Sequence, residues 1–308
     1  MKKSTNVIAA QHPDRIVYVT EAYDFNGNAV SGLCGSTLSL EKMLYHLKTI
    51  NFPPEQRFIS QVPKIDDPRA KVLRELTEEE KTYLGQFFGT TLTDRLLEYT
   101  FKHREPYDVN VGDLTLTCFP DVFPPASPFS YDSIPLAEMN DAQKGESVLD
   151  IGTGTGIHAV KSAMNGARKV IATDVSEQAV KNCEYNAQRY GLEKVIHARH
   201  GNLFNPIRWH ERIRGFDLII ANLPFVNHPV IEDCERWVYD ENHLAHKEFF
   251  ANAGKYLKKN GRILISFSNI GDVDFFESQI KYNGFSVKDK RTDENVGKEW
   301  YVYRLTKE

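Results

Sequence analysis

Val148-Leu149-Asp150-Ile151-Gly152-Thr153-Gly154-Thr155-Gly156 reads as a buried strand that ends on an acid and turns sharply into a helix. The apolar and β-branched run supplies the strand, and glycines at every second position supply the turn. Glycine is needed where backbone takes a positive φ or where a ligand must approach without a Cβ in the way. Three such positions within five residues exceed what a simple turn requires, so a nucleotide-like ligand is expected over this loop.

Spacing narrows the ligand. A dinucleotide fold uses G-x-G-x-x-G so that a pyrophosphate rests on the helix N-terminus. Here the third glycine comes one position early, at Gly156, and Ile157 stands where that pattern would place it. The pattern D-x-G-x-G-x-G resembles motif I of the Rossmann-like S-adenosylmethionine (SAM) methyltransferases. That resemblance implies that no phosphate is bound and that the loop wraps the methionine part of SAM. Asp150, Gly152, Thr153, Gly154, Thr155 and Gly156 become cofactor-binding candidates on that basis. A glycine turn in another nucleotide fold is the alternative.

The chain has 308 residues, enough for about two domains at ~150 residues each. With 41% hydrophobic and 26% charged residues, it has an ordinary globular composition. Its formal net charge of -4 provides no global field for nucleic acid. Cys34, Cys118, Cys183 and Cys234 lie far apart, which argues against zinc or a disulfide framework and for reduced thiols in a cytoplasmic protein. No metal site is expected. There is no apolar run of ~18 residues, so no membrane span is expected, and no signal-peptide core follows Met1-Lys2-Lys3.

Residues 1–106 read as a mixed, mainly helical accessory domain. Arg15–Leu33 suggests a hairpin or loose strand pair around Asn26-Gly27-Asn28. Leu40, Met43, Leu44 and Leu47 form a helical stripe behind Ser39, ending before Pro53-Pro54. Thr77-Glu78-Glu79-Glu80 is a capping box, and Leu92 to His103 reads as a helix carrying Leu96, Leu97 and Tyr99 inward. Residues 107–140 comprise a short hairpin, Val109–Cys118, and a connector with prolines at 120, 124, 125 and 128. The connector is either a linker or a lid over the cofactor site, and Phe129, Ser130 and Tyr131 are its reactive-facing candidates.

Residues 141–308 alternate strand and helix. After the glycine loop, strands are expected at Val170–Asp174, Val195–His200, Phe216–Ala221 and Arg262–Phe267, with an antiparallel pair near Phe285–Asp289 and Glu299–Leu305. A helix opened by Asp174 runs to Tyr190. Another runs through Phe249, Phe250 and Leu257 to Asn260-Gly261, and a third covers Asp274–Tyr282. The expected fold is α/β: a seven-stranded Rossmann-like SAM methyltransferase sheet that binds ligands at the carboxyl ends of its strands.

Asp174 lies 22 positions beyond Gly152, at a strand end, where a carboxylate can accept from both ribose hydroxyls of NAD or SAM. In His200-Gly201-Asn202-Leu203-Phe204, similar methyltransferases carry Gly-Asp, whose carboxylate accepts from the adenine amine. Here Asn202 replaces that acid, and Leu203 would pack on the ring. Asn222-Leu223-Pro224-Phe225 resembles the (N/D)-P-P-(Y/F) motif IV of methyltransferases that act on planar nitrogens. The Asn222 side-chain oxygen and the Leu223 carbonyl can accept the two hydrogens of an NH₂ group. Phe225 can stack on its plane, and Pro224 fixes the turn. Asn222, Leu223, Pro224 and Phe225 are therefore the catalytic candidates, and Asn222 would also border SAM. Leu223 departs from the family's proline.

The layout over Asp121–Phe225 resembles the HemK-type glutamine methyltransferases, although the connector lacks their arginine. The resemblance implies a SAM-dependent N-methyltransferase, with a protein glutamine amide or a small amine or amide metabolite as acceptor. An RNA adenine methyltransferase, a SAM-using enzyme that does not transfer methyl, and an NAD-dependent oxidoreductase are the alternatives. A nucleic-acid partner is disfavoured by the lack of a basic track. The acidic segment Val226–His246 (Glu232, Asp233, Trp237, Tyr239, Asp240) should border the acceptor pocket and suit a cation. His158, Tyr239 and His246 read as packing or surface residues before they read as bases.

Overall fold

A computed structural model describes residues 7–12, 15–23, 29–36, 71–75, 96, 99–100, 103–126, 130–230, 233–295 and 297–308. The chain divides into two compact units. One holds residues 1–102 with 231–235, the other residues 103–230 with 236–308.

The described part of the first unit is an antiparallel sheet of β1 (Val7–His12), β2 (Arg15–Tyr23), β3 (Ala29–Ser36) and β4 (Lys71–Glu75), in the order β3-β2-β1-β4. The expected hairpin around Asn26-Gly27-Asn28 is the β2–β3 pair, with Tyr23 opposite Ala29. Strands β1 and β4 were not anticipated. Leu96, Tyr99 and Thr100 are helical, and Leu96 is buried. The expected helices after Ser39 and Thr77 lie outside the described residues, as does Phe129.

The second unit opens with a hairpin, β5 (Tyr107–Val111) and β6 (Leu114–Cys118), followed by the connector and the short helix α1 (Ser133–Glu138). Strand and helix then alternate: β7 (Ser147–Ile151), α2 (Ile157–Met164), β8 (Lys169–Asp174), α3 (Glu177–Arg189), β9 (Ile196–His200), α4 (Trp209–Arg214) and β10 (Phe216–Ala221). The remainder is α5 (Leu244–Ala253), β11 (Leu257–Ser268), α6 (Val273–Tyr282), β12 (Phe285–Asn295) and β13 (Lys298–Lys307). Seven strands form one sheet in the order β12-β13-β11-β10-β7-β8-β9. All neighbours are parallel except those of β13, which is antiparallel to both β11 and β12.

The continuous apolar strands follow from burial on both faces. On β10, Leu218 and Ile220 face a cluster built with Ile157 and Val160 of α2 and with Cys183 and Ala187 of α3. Ile219 and Ala221 face the opposite cluster, with Phe249 and Phe250 of α5 and Phe276 and Ile280 of α6. A one-residue slip of β10 would exchange its two faces, so the register that aligns the strand ends is strongly specified.

Two expectations are corrected. Ser176, not Asp174, caps α3, its hydroxyl accepting from Ala179 N at 3.3 Å. Helix α5 stops at Ala253 rather than running through Leu257 to Asn260-Gly261, because Phe216 N takes the Tyr256 carbonyl at 2.8 Å. That bond draws Leu257 into β11 beside Phe216, and residues 258–261 form an irregularity before Arg262 pairs with Leu218.

The hairpin is fastened to α3 by two fully buried asparagines. Asn186 Nδ2 donates to the carbonyls of Thr117 (2.8 Å) and Thr155 (2.9 Å), and its Oδ1 accepts from Thr117 N (2.9 Å). Asn182 Nδ2 donates to Thr117 O, and its Oδ1 accepts from Phe119 N. One helix face thus holds both the hairpin and the glycine loop. Replacing Asn186 with alanine leaves buried backbone groups without partners and should cost roughly 1–3 kcal/mol. The exposed neighbour change Gln188→Ala should stay within about 0.5 kcal/mol. Urea unfolding midpoints of the two variants test the difference.

Candidate functional site

Strands β7 and β10 are adjacent and parallel, with Ile151 opposite Ala221. That register ends both strands together and sets the glycine loop beside Asn222. Gly152, Gly154 and Gly156 have φ of 73°, 53° and 85°, so the loop takes the left-handed region three times, where glycine carries no Cβ penalty. A Cβ on Gly152 would lie 3.2 Å from the Asn222 carbonyl, and one on Gly156 would lie 2.9 Å from Cys183 Sγ. A Cβ on Gly154 would meet nothing within 4 Å. Gly154 therefore offers its backbone to open space, as a cradle for a ligand must.

Asp150, Thr153 and Thr155 are buried, so the structure gives them no open surface toward a ligand. Their side chains shape the loop. Thr153 Oγ1 donates to Asp150 Oδ2 at 2.6 Å, and Gly152 N and Thr153 N both reach the Thr173 carbonyl. Burial pushes the Asp150 carboxyl up to about 7, opposed by the Thr153 hydroxyl and reinforced by the charge of Asp174.

Asp174 ends β8 beside the loop. Its Oδ2 accepts from Gly154 N (3.0 Å) and its Oδ1 from Ser176 N (2.9 Å). Burial raises its pKa, against the pull of those backbone amides. The Val175 amide faces the same carboxylate, and the lone-pair capacity left beyond these three amides fits a donor such as a ribose hydroxyl. After β9, Leu203 takes φ 44°, is buried, and accepts from Thr173 Oγ1 at 2.9 Å. Asn202 beside it is exposed, and its amide nitrogen donates to Glu248 at 3.2 Å.

At motif IV, Asn222 Oδ1 accepts from the Ser266 hydroxyl at 2.6 Å and its Nδ2 donates to Ser133 Oγ at 3.1 Å. Leu223 is buried. Phe225 was expected as an open stacking surface, but it packs into the core cluster against Phe267 (5.4 Å) and Trp300 (6.0 Å). The cause is the chain that follows: Phe225 N and Val226 N both donate to Val238 O, folding the segment back and burying the ring. Tyr131 stands 5.4 Å from the same Trp300 and is partly exposed.

The acidic segment is partly turned inward. Asp240 is buried, with its carboxylate on Ala245 N, His246 N and His246 Nδ1. Glu232 lies outside the described residues. His246 and Tyr239 are buried, and His158 is buried so completely that its pKa falls to about 3, so none of the three stands ready as a base.

The Asp132, Ser133 and Ser266 side chains were not singled out in the sequence. Ser130 and Ser133 hydroxyl oxygens are 2.5 Å apart, and Ser130 Oγ donates to Asp132 Oδ1 at 3.2 Å. Burial raises the Asp132 pKa, while Ser130, Ser266 and Asn222 favour its ionised form. The only signal was a polar Ser-Tyr-Asp-Ser run after prolines. A separate cleft of about 620 Å³ borders β9, lined by residues including Lys169, Glu184, His197 and Arg199. Its strongest cations are already held by buried Glu211, at 2.7 Å from Lys169 and 2.6 Å from Arg199, and no motif residue faces it.

The protein-family model for the ribosomal protein L11 methyltransferases (PrmA) matches residues 133–241. A ribosomal protein L11 methyltransferase of Desulforamulus reducens is 43% identical over 81 residues, covering 26% of this chain and 25% of that protein. A Methanocaldococcus jannaschii protein with the provisional name protein N5-glutamine methyltransferase is 28% identical over 189 residues, covering 58% of this chain and 89% of that protein. A solved methyltransferase-like structure holding S-adenosylhomocysteine (SAH) has a TM-score of 0.51 at 16% identity, over 65% of this chain and 56% of that one. The fold is that of the SAM-dependent methyltransferases. The chain spans between a quarter and 58% of the length of several of the L11 methyltransferases it matches. The matching family model is theirs rather than that of the HemK-type enzymes the motif layout resembles, although a glutamine-named relative is among the matches.

Asp174→Ala should weaken SAH binding by about 1–3 kcal/mol, the worth of hydrogen bonds to a charged group, as measured by titration calorimetry. Asp150 gives a pH test. Because folding raises its pKa from 3.8 to about 7, its contribution is full below about pH 4 and is lost as pH rises through 7. Asp150→Asn keeps an acceptor for Thr153 without titrating. The thermal midpoint of Asp150→Asn relative to wild type should therefore climb between about pH 4 and pH 7.5.

Proposed function

We propose that this chain is a SAM-dependent methyltransferase that methylates a nitrogen on a protein. The observation that carries the proposal is the meeting of Gly152 and Asn222, which puts a cofactor-type loop and a nitrogen-holding motif at one strand end. When bound, SAM supplies an electrophilic methyl on a sulfonium. The Gly154 backbone and the Asp174 carboxylate would hold it, with Leu203 beside its base. Asn222 Oδ1 has one lone pair on Ser266 and a second to accept an acceptor N–H, and the Leu223 carbonyl can take another. Together they orient the nitrogen and stabilise the positive charge that grows on it.

A protein acceptor is favoured over RNA because the L11 and glutamine methyltransferase relatives are named for protein substrates, and because a net charge of -4 opposes a phosphate backbone. Tyr131 takes over the aromatic role first given to Phe225, since its ring is partly exposed beside Trp300.

Labelled methyl from SAM should enter the protein fraction of an extract from cells lacking this gene, with RNA and metabolite fractions as the comparison. Label in RNA alone would overturn the choice of acceptor. Asn222→Ala should lower turnover by roughly 100-fold, the scale for removing one preorganised polar group, with SAH affinity changing little. An equal loss in both would remove Asn222 from the acceptor side.

A further inference from the structure

An asparagine at a nitrogen-methylating site has a weakness. Its two terminal atoms have nearly the same shape but opposite hydrogen-bonding character. With oxygen toward the acceptor, Asn222 receives an N–H. Turned over, it presents its own NH₂ to the acceptor's NH₂ and repels it. Something must select one orientation.

The polar groups behind Asn222 form a directed series. Asn222 Nδ2 lies 3.1 Å from Ser133 Oγ, which is 2.5 Å from Ser130 Oγ, which donates to Asp132 Oδ1 at 3.2 Å. Each hydroxyl has one hydrogen. Once Asp132 Oδ1 takes that of Ser130, the short contact is made by Ser133 donating to Ser130. Ser133 is then left with lone pairs toward Asn222, so the amide must turn its nitrogen there. On the other side, Ser266 donates to Asn222 Oδ1 at 2.6 Å, and the Asp132 carboxylate itself faces both the Ser266 hydroxyl and the Asn222 amide. Ser130, Asp132, Ser133 and Ser266 are all buried, so water cannot substitute for a wrong partner, and a mismatched orientation would cost full desolvation.

We infer that Asp132 is a positioning residue: together with the Ser130 and Ser133 hydroxyls it selects the orientation of Asn222 that accepts from the substrate nitrogen. This rests on the methyl-transfer reading above. It also assigns a purpose to a buried acid whose described contacts are hydroxyls and an amide rather than a cation.

Asp132→Asn is nearly isosteric but can turn its own NH₂ toward Ser130, so the series loses its direction. In the variant, kcat for methyl incorporation should fall about fivefold to tenfold, the net worth of one hydrogen bond, while KM for SAM and SAH affinity stay within about twofold. Ser130→Ala removes one member of the same series and should lower kcat in the same direction, which covers the case in which Asp132→Asn does not fold. In an Asn222→Asp background both terminal atoms are oxygens and no orientation needs selecting. There, Asp132→Asn should cost nothing or raise kcat. An equal loss in both backgrounds would mean that Asp132 acts only on packing, and overturns the inference, as would wild-type kcat in both Asp132→Asn and Ser130→Ala. A readout independent of turnover is the ¹⁵N spectrum of the side-chain amides. Asn222 should give one proton pair in wild type and a second or exchange-broadened pair in Asp132→Asn. An unchanged pair overturns the inference even if no methyl transfer is found, and methyl transfer that survives Asn222→Ala would instead sink the function it rests on.

Discussion

The approach of one backbone carbonyl to one glycine governs this site. Asn222 O would lie 3.2 Å from any Cβ at position 152, and the distance follows from the pairing of Ile151 with Ala221 in adjacent parallel strands. Alternating burial on β10 locks that pairing, because its two faces belong to different clusters. Position 152 must therefore be glycine twice over, for its φ of 73° and for the room it leaves. The glycine loop and the turn that begins at Asn222 are held at fixed distance by the sheet, and helices and connectors are arranged around that fact.

A second theme is the burial of acids close to the strand ends. Asp150, Asp174 and Asp132 all have raised pKa values, with desolvation the largest cause in each. Structural economy would replace such groups with apolar ones. They persist here as hydrogen-bond acceptors that give neighbouring groups a direction: Asp150 for Thr153, Asp174 for Gly154 and Ser176, Asp132 for Ser130. The stability they cost is exchanged for a loop and an amide held in one arrangement.

Much of this was legible in the residues. The glycine spacing foretold three left-handed positions, and the apolar runs foretold the seven strands, because both are local signals with a short period. Asp174 and Asn222 could be placed because each ends such a run. What escaped was nonlocal. Ser133 meets Asn222 across 89 positions and Ser266 meets it across 44, and nothing periodic marks a serine that will face an asparagine so far along the chain. The burial of Phe225 was missed for the same reason: it depends on Val238, which returns to the motif only in three dimensions. The overextension of α5 had a different origin, since Leu257 suits a helix stripe and a strand equally, and only the bond from Phe216 decides between them.

Strand β13 lies between β11 and β12 although its residues, Lys298–Lys307, come last among the seven strands. Synthesis therefore runs ahead of assembly. While a ribosome is still making this segment, β7 to β10 can already pair, yet β11 presents the bare apolar edge Ile263-Leu264-Ile265 to its surroundings. An unpaired apolar edge of this kind is a template for pairing with another strand. The serine that steadies Asn222 sits on that same strand, opposite Val302. The last strand to be made is thus the one that flanks the serine on which Asn222 leans.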